Sequence, residues 1–192
     1  MLPLTNVYGF LAPLLWAPFV KLFDVFGGVP ALSVCQILSV LLQISGTVFF
    51  YKAARNKVQS KALSSLATLF FFSCYWRYLA WGGAFPDQLG MLLLAILLFI
   101  STRDDLNHKW NPISYVILIV LMFYTKQYFI LVIPAVFFYL FENAGFKKAL
   151  IFAFEGLAVG IVSIILVDLV FPLYFREVID KLIIRCFNNA LS

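Results

Sequence analysis

Long apolar stretches alternate with short polar gaps along this 192-residue chain. The longest stretch, residues 113–141, reads ISYVILIVLMFYTKQYFILVIPAVFFYLF and is interrupted near its middle by Thr125, Lys126 and Gln127. It has about 29 residues, whereas one untilted crossing of a bilayer needs roughly 20. A lysine at bilayer depth costs on the order of 3 kcal/mol, so Lys126 must face a polar cavity, a partner or water.

Basic residues flank this stretch on both sides: Arg103 and Lys109 precede it, and Lys147 and Lys148 follow it. Because cytoplasmic loops carry an excess of Lys and Arg, both ends of the stretch belong on the cytoplasmic side. A segment with both ends on one side of the membrane is a hairpin. We therefore predict two short helices joined at an extracytoplasmic turn, Tyr124–Tyr128.

Four further apolar stretches predict membrane spans: 30–51, 62–80, 88–102 and 149–171. With the hairpin they give an all-α polytopic transmembrane helical bundle of about six spans over residues 30–171. In residues 1–29, Pro13 and Pro18 break an aromatic-rich apolar segment, which predicts a juxtamembrane helix lying in the bilayer interface. Residues 172–192 place apolar residues at helical spacing among charges, and predict an extracytoplasmic amphipathic tail or the start of a further region.

Composition agrees with this class of protein. The chain is 64% hydrophobic and 12% charged, with a mean hydropathy of +0.99, which excludes an ordinary soluble domain. The apolar runs are continuous and do not alternate, which excludes a transmembrane β-barrel. The net charge of +5 comes from basic residues in the gaps between apolar runs, so membrane topology explains it and we predict no nucleic-acid partner.

The residues that often bind metals or form disulfides are sparse. Cys35, Cys74 and Cys186 are scattered without a CxxC pair, and two of them lie within apolar runs, where cysteine behaves as a small hydrophobe. His108 lies in a polar loop without other metal-binding company. We therefore predict no disulfide, no metal site and no cofactor.

In this topology four unusual polar residues fall on the extracytoplasmic side: Tyr8, Arg77, Asp87 and Lys126. Polar groups at one depth beside short helices indicate a water-accessible cavity that opens outward. Simpler explanations stay open, because Asp87 after Pro86 is typical of a helix cap, Lys126 can snorkel, and Arg77 and Tyr8 suit an aromatic belt. In the functional interpretation, Asp87 is a base or binding group and the two cations hold a phosphate.

Three passages carry a resemblance to a known family: Tyr8–Leu14 (YGFLAPL) with the aromatic segment that ends at Gly27, Phe85-Pro86-Asp87 at the head of an apolar span, and Tyr124-Thr125-Lys126-Gln127 in the hairpin. In this order they resemble the GT-C superfamily of integral-membrane glycosyltransferases. The resemblance is to the branch that includes protein O-mannosyltransferases and lipid A aminoarabinose transferases, and it covers most of residues 7–171.

The resemblance implies transfer of a sugar from a polyprenyl-phosphate donor to a glycan, lipid or protein acceptor, on the extracytoplasmic face of a bacterial plasma membrane. The site residues that it implies are Asp87 as the catalytic carboxylate, and Lys126, Arg77, Tyr8 and Gln127 as substrate-binding residues. The family's main carboxylate follows its first transmembrane helix, whereas this chain has no acidic residue before Asp24. We therefore expect either an N-terminally shortened part of an enzyme or an inactive relative.

Two other classes of function fit the same residues. A non-catalytic membrane scaffold or lipid-binding subunit would use the outward cavity without chemistry. A small transporter component would use Asp87 and Lys126 as a charge pair in its pathway. The sugar-transfer hypothesis requires the Lys126 ammonium to lie beside the Asp87 carboxylate, just inside the outer leaflet.

Overall fold

The computed structural model describes residues 11–25, 31–79, 87–103 and 111–171. Within these ranges the chain forms seven α-helices and one 3-10 helix, and no strand. The elements are α1 (Leu11–Val25), α2 (Ala31–Lys57), α3 (Lys61–Leu79), α4 (Asp87–Arg103), α5 (Asn111–Thr125), the 3-10 helix (Gln127–Leu131), α6 (Val132–Ala144) and α7 (Phe146–Val170). The prediction of an all-α fold is confirmed for this part of the chain.

Three helical segments are long and apolar enough to cross a membrane: Ser33–Lys57, Gln127–Ala144 and Phe146–Val170. Two shorter apolar helical segments, Lys61–Ser73 and Pro112–Thr125, accompany them. The structure therefore supports a membrane-embedded helical protein. Among the described residues, three of the six predicted spans are long and apolar enough to cross a bilayer. Large apolar side chains exposed along α7, such as Leu157 and Leu169, suit contact with lipid.

Helices α2 and α4 run parallel and in close contact. A Cβ added to Gly46 would lie 3.4 Å from the Cα of Leu92, so the absence of a side chain brings the two backbones together. Further along, Asn56 Nδ2 donates a hydrogen bond of 3.3 Å to Thr102 Oγ1. The two contacts follow each other in the same direction along both helices, which fixes the parallel register.

The reversal of the chain predicted within residues 113–141 is confirmed, whereas two membrane crossings and an extracytoplasmic turn stay predictions. Helix α5 ends at Thr125, Lys126 is extended, and α6 then returns along α4, because Tyr128 contacts Asp87 and Tyr139 donates to the Ser101 carbonyl. A second reversal joins α6 to α7 at Gly145, whose φ of 86° lies in the region that favours glycine.

These reversals place seven of the ten basic residues of the described ranges at one end of the bundle. Helices α2, α4 and α6 finish at this end, and α3, α5 and α7 begin there. Its basic residues are Lys52, Arg55, Lys57, Lys61, Arg103, Lys147 and Lys148. We call it the basic end; Asp87 and Lys126 lie at the opposite end. This segregation agrees with the predicted sidedness of the chain, whose assignment to the two sides of a membrane stays a prediction.

The N-terminal segment forms α1, which includes Pro18 and packs against α2 through the buried Trp16. Its predicted position in the bilayer interface stays a prediction, and the predicted tail 172–192 lies outside the described residues. The core gathers between α4, α5 and the two last helices, where Tyr115, Met122 and Leu140 are fully buried.

Candidate functional site

The turn that carries Lys126 is built by local hydrogen bonds. Thr125 Oγ1 donates to the Met122 carbonyl at 2.6 Å, and the Lys126 backbone nitrogen donates to the same carbonyl at 3.0 Å. Lys126 itself is extended, with φ −162° and ψ 129°, so helix α5 stops here. The Phe129 nitrogen then donates to the Lys126 carbonyl at 3.1 Å and begins the 3-10 helix.

The lack of a side chain at Gly90 of α4 lets this turn pack closely against the helix. A Cβ on Gly90 would lie 2.2 Å from Cε2 and 2.5 Å from Cζ of Phe129, and 2.8 Å from Thr125 Oγ1. Phe129 is only 3% exposed and packs in the space that glycine leaves. Gly90 therefore sets how closely the turn approaches the first residues of α4.

That approach brings Lys126 and Asp87 into a bidentate ion pair. The Lys126 ammonium donates to both carboxylate oxygens of Asp87, each at 2.9 Å. The Asp87 side chain is 8% exposed and the Lys126 side chain is 23% exposed, so the pair is shielded but still reached by solvent. Asp87 lies in the first turn of α4, where the positive end of the helix dipole favours a carboxylate.

Tyr128 completes the cluster and was missed by the sequence analysis. Its hydroxyl donates to Asp87 Oδ1, and the Lys126 ammonium lies 5.2 Å from the centre of its ring, within cation–π range. Tyr128 is 48% exposed, so the cluster meets the surroundings on this side. The only available sequence signal was its position two residues after Lys126, and a tyrosine at a predicted membrane surface is typical of an aromatic belt.

Buried amides lie beside the cluster on the α2–α4 side. Gln88 and Gln43 are 1% and 4% exposed, and within the described residues neither amide group has a hydrogen-bond partner. The same sequence offset relates Gly46 to Leu92 and Asn56 to Thr102, which places Gln43 on α2 level with Leu89, the residue after Gln88. Each amide offers both a donor and an acceptor, and leaving them unpaired costs free energy.

The remaining predicted site residues have different outcomes. Gln127 begins the 3-10 helix, and its Nε2 is buried without a hydrogen-bond partner in the described part of the chain. Arg77 belongs to α3, which packs chiefly against α2, and its side chain is not among those described. Tyr8 lies outside the described residues. The structure therefore brings Asp87, Lys126 and Gln127 near one turn, and the predicted roles of Arg77 and Tyr8 stay predictions.

An apolar groove of about 390 Å³ lies between α5, the start of α6 and α7. Ile130 and Ile133 form one wall, and Gly156 and Gly160 of α7 leave space on another, since a Cβ on Gly160 would meet no atom within 4 Å. The groove includes Tyr124, whose hydroxyl donates a hydrogen bond of 3.1 Å to Ser163 Oγ. Tyr124 precedes Lys126 by two residues in the sequence.

Among the described residues no group of three or more His, Cys, Asp or Glu side chains could hold a metal ion. The polar chemistry of the site thus consists of one carboxylate, one ammonium, one phenol and neighbouring amides. No family model matches this chain, and comparison with curated proteins and with solved structures found no match.

Proposed function

We propose that this chain is a membrane glycosyltransferase, or part of one, that transfers a sugar from a polyprenyl-phosphate donor to a glycan, lipid or protein acceptor. The proposal depends on one observation: a shielded carboxylate and ammonium meet at the end of the bundle opposite the basic end. This is the end predicted to face the extracytoplasmic side, so the reaction takes place there.

In the proposed reaction Asp87 acts as the base. It removes the proton of an acceptor hydroxyl while that oxygen bonds to the anomeric carbon of the sugar. The bond from the anomeric carbon to the phosphate oxygen breaks, the carrier leaves as lipid phosphate, and the anomeric configuration inverts. Lys126 lies beside the carboxylate at 2.9 Å and offsets the negative charge that develops on the departing phosphate.

Two further features support a lipid-linked sugar as the donor. The apolar groove near Tyr124 is large enough for part of a hydrocarbon chain and falls within the roughly 300–1,000 Å³ usual for ligand sites. The amides of Gln43, Gln88 and Gln127 can each donate to or accept from hydroxyl groups, which sugars supply in number. A ligand with an apolar chain, a phosphate and hydroxyls would use all three parts of the site.

One observation favours a second candidate, the non-catalytic lipid-binding subunit. The Asp87 carboxylate already accepts hydrogen bonds from both Lys126 and Tyr128, as in an ion pair that only holds two helices together. A lipid could then bind in the groove without any chemistry at the pair.

The two candidates separate in a transfer assay on the full chain reconstituted in vesicles. Polyprenyl-phosphate sugars serve as donors, and membrane extract serves as the acceptor source. We expect transfer by the wild type and a loss of at least about 100-fold in Asp87→Asn, the usual contribution of a general base. Lys61→Gln, at the basic end, is the control and should retain activity. Binding of the carrier without transfer would support the lipid-binding subunit, and equal activity in Asp87→Asn would remove the carboxylate from the reaction.

A further inference from the structure

A second cavity lies at the basic end, far from the candidate site. It measures about 480 Å³ and opens between the final turns of α2 and α4. Its lining residues are Tyr51, Lys52, Arg55, Asn56, Phe99 and Arg103. Three cations from two separate segments of the sequence therefore face one space.

The parallel packing of α2 and α4 creates this cavity. Because the two helices run in the same direction, their basic last turns arrive at the same level, and the Asn56–Thr102 hydrogen bond ties them there. The ring of Phe99, which lines the cavity, lies 5.6 Å from the ring of Phe49, measured between ring centres. These two rings form an apolar floor beside the cations Lys52 and Arg103.

No carboxylate in the described part of the chain forms a salt bridge with these cations. The Lys52 ammonium lies 6.0 Å from the Phe49 ring centre, and the Arg103 guanidinium lies 5.8 Å from the Phe99 ring centre. Arg55 is held by its Nη1, which donates to the carbonyls of Val58 at 3.2 Å and Gln59 at 2.7 Å. The charges are therefore positioned by rings and carbonyls, and within residues 11–25, 31–79, 87–103 and 111–171 no acidic side chain forms a salt bridge that offsets their mutual repulsion.

We propose that this cavity binds the phosphate headgroup of an anionic phospholipid. The candidate span of α2 ends at Lys57, so the cavity lies at the level where lipid headgroups meet a membrane protein. A phosphodiester would contact Lys52, Arg55 and Arg103, while the glycerol and the upper acyl chain would rest on the Phe49–Phe99 floor. Basic clusters at this end of a membrane protein also set topology without binding any lipid. The test must therefore distinguish the effect of the cations that line the cavity from the effect of the other cations at the basic end.

Two matched pairs of substitutions make that separation. Lys52→Gln with Arg103→Gln removes two charges that line the cavity, and Lys57→Gln with Lys61→Gln removes two charges of the same cluster that do not. All four side chains are exposed, so both double variants should fold, which circular dichroism checks. The full chain in detergent is titrated with phosphatidylglycerol and with phosphatidylcholine, and bound lipid is counted by native mass spectrometry.

We expect wild-type protein to prefer phosphatidylglycerol, and the cavity pair to weaken that binding by about 30-fold, since each cation near an anionic lipid contributes about a factor of five. The control pair should weaken it less than threefold. Equal losses in the two pairs would reduce the effect to diffuse surface charge and overturn the proposal. So would inorganic phosphate that binds as tightly as the lipid, because the site would then serve a soluble anion.

Discussion

Gly90 is the position at which a single methyl group tests the geometry of the site. In Gly90→Ala the new Cβ would lie 2.2 Å and 2.5 Å from two ring carbons of Phe129 and 2.8 Å from Thr125 Oγ1. Carbon atoms in contact lie about 3.5–4.0 Å apart, so the ring must move by more than about 1 Å. Phe129 is buried on the 3-10 helix that also carries Tyr128, so the movement is passed to the turn of Lys126.

The expected cost is the difference between two known effects. Overpacking of a filled core costs about 1–3 kcal/mol, while replacing a helical glycine by alanine returns about 0.5–1 kcal/mol. We therefore expect Gly90→Ala to lower the free energy of unfolding by up to about 2.5 kcal/mol, and to be about 1–3 kcal/mol less stable than the same change at an open helical position. Because the strain falls on the Lys126 turn, the ion pair with Asp87 should loosen as well.

Equilibrium unfolding in detergent, followed by circular dichroism, measures this cost. The matched control is Gly160→Ala on α7, where a Cβ would meet no atom within 4 Å and the same change should be neutral or stabilising. Adding Phe129→Leu to Gly90→Ala should restore part of the lost stability by removing the ring from the clash. If Gly90→Ala and Gly160→Ala were equally stable, the close packing of Phe129 and Thr125 against Gly90 would be contradicted.

Three further predictions concern the pair, the groove and the sidedness of the bundle. In a double-mutant cycle of Asp87→Asn and Lys126→Met, we expect a coupling of about 0.5–3 kcal/mol in unfolding free energy, because Lys126 donates to both carboxylate oxygens of Asp87; additive effects of the two substitutions would show that the ion pair does not stabilise the fold. Gly156→Leu should fill the groove and weaken polyprenyl-phosphate binding at least fivefold without loss of helicity, whereas unchanged binding would place the lipid chain elsewhere. In a cysteine-free background, a membrane-impermeant thiol reagent applied outside intact cells should label Tyr128→Cys and spare Lys57→Cys, and the reverse pattern would overturn the predicted orientation.

The helix bounds follow closely from hydrophobic runs and charged gaps. The span predicted at 88–102 is α4, Asp87–Arg103, and the one predicted at 62–80 is α3, Lys61–Leu79. Helix α2 continues to Lys57, six residues beyond the predicted end at Tyr51, because Lys, Ala and Arg favour helix and cations suit the negative helix terminus. Hydropathy locates where the chain enters lipid, and it does not locate where a polar helix end stops.

The number of crossings is harder to derive from the sequence. Helix α5 has 15 residues and α4 has 17, which at 1.5 Å per residue gives about 22 Å and 25 Å, against a hydrocarbon thickness of about 30 Å. Helices this short cross a bilayer where the bilayer thins, where flanking residues snorkel or where the helices associate. The reversal within residues 113–141 was predictable because the basic flanks indicated the direction of the chain independently of helix length.

The members of the site were predictable to different degrees. Asp87 and Lys126 stood out because charges interrupt or border apolar runs, and the structure pairs them. Gly90 and Tyr128 did not stand out, because a glycine in an apolar helix and a tyrosine at a membrane surface are both common. Their roles depend on which helices become neighbours, and that follows from tertiary packing.

The most direct test of the candidate site is the affinity of the full chain for polyprenyl phosphate in nanodiscs. Wild type is compared with Lys126→Met, and Lys61→Met at the basic end controls for the loss of one charge. A hydrogen bond to a charged group contributes about 1.5–3 kcal/mol, so we expect Lys126→Met to weaken binding by about 10- to 100-fold and Lys61→Met to leave it unchanged. Equal affinity in wild type and Lys126→Met would contradict the assignment of this ammonium to the carrier phosphate.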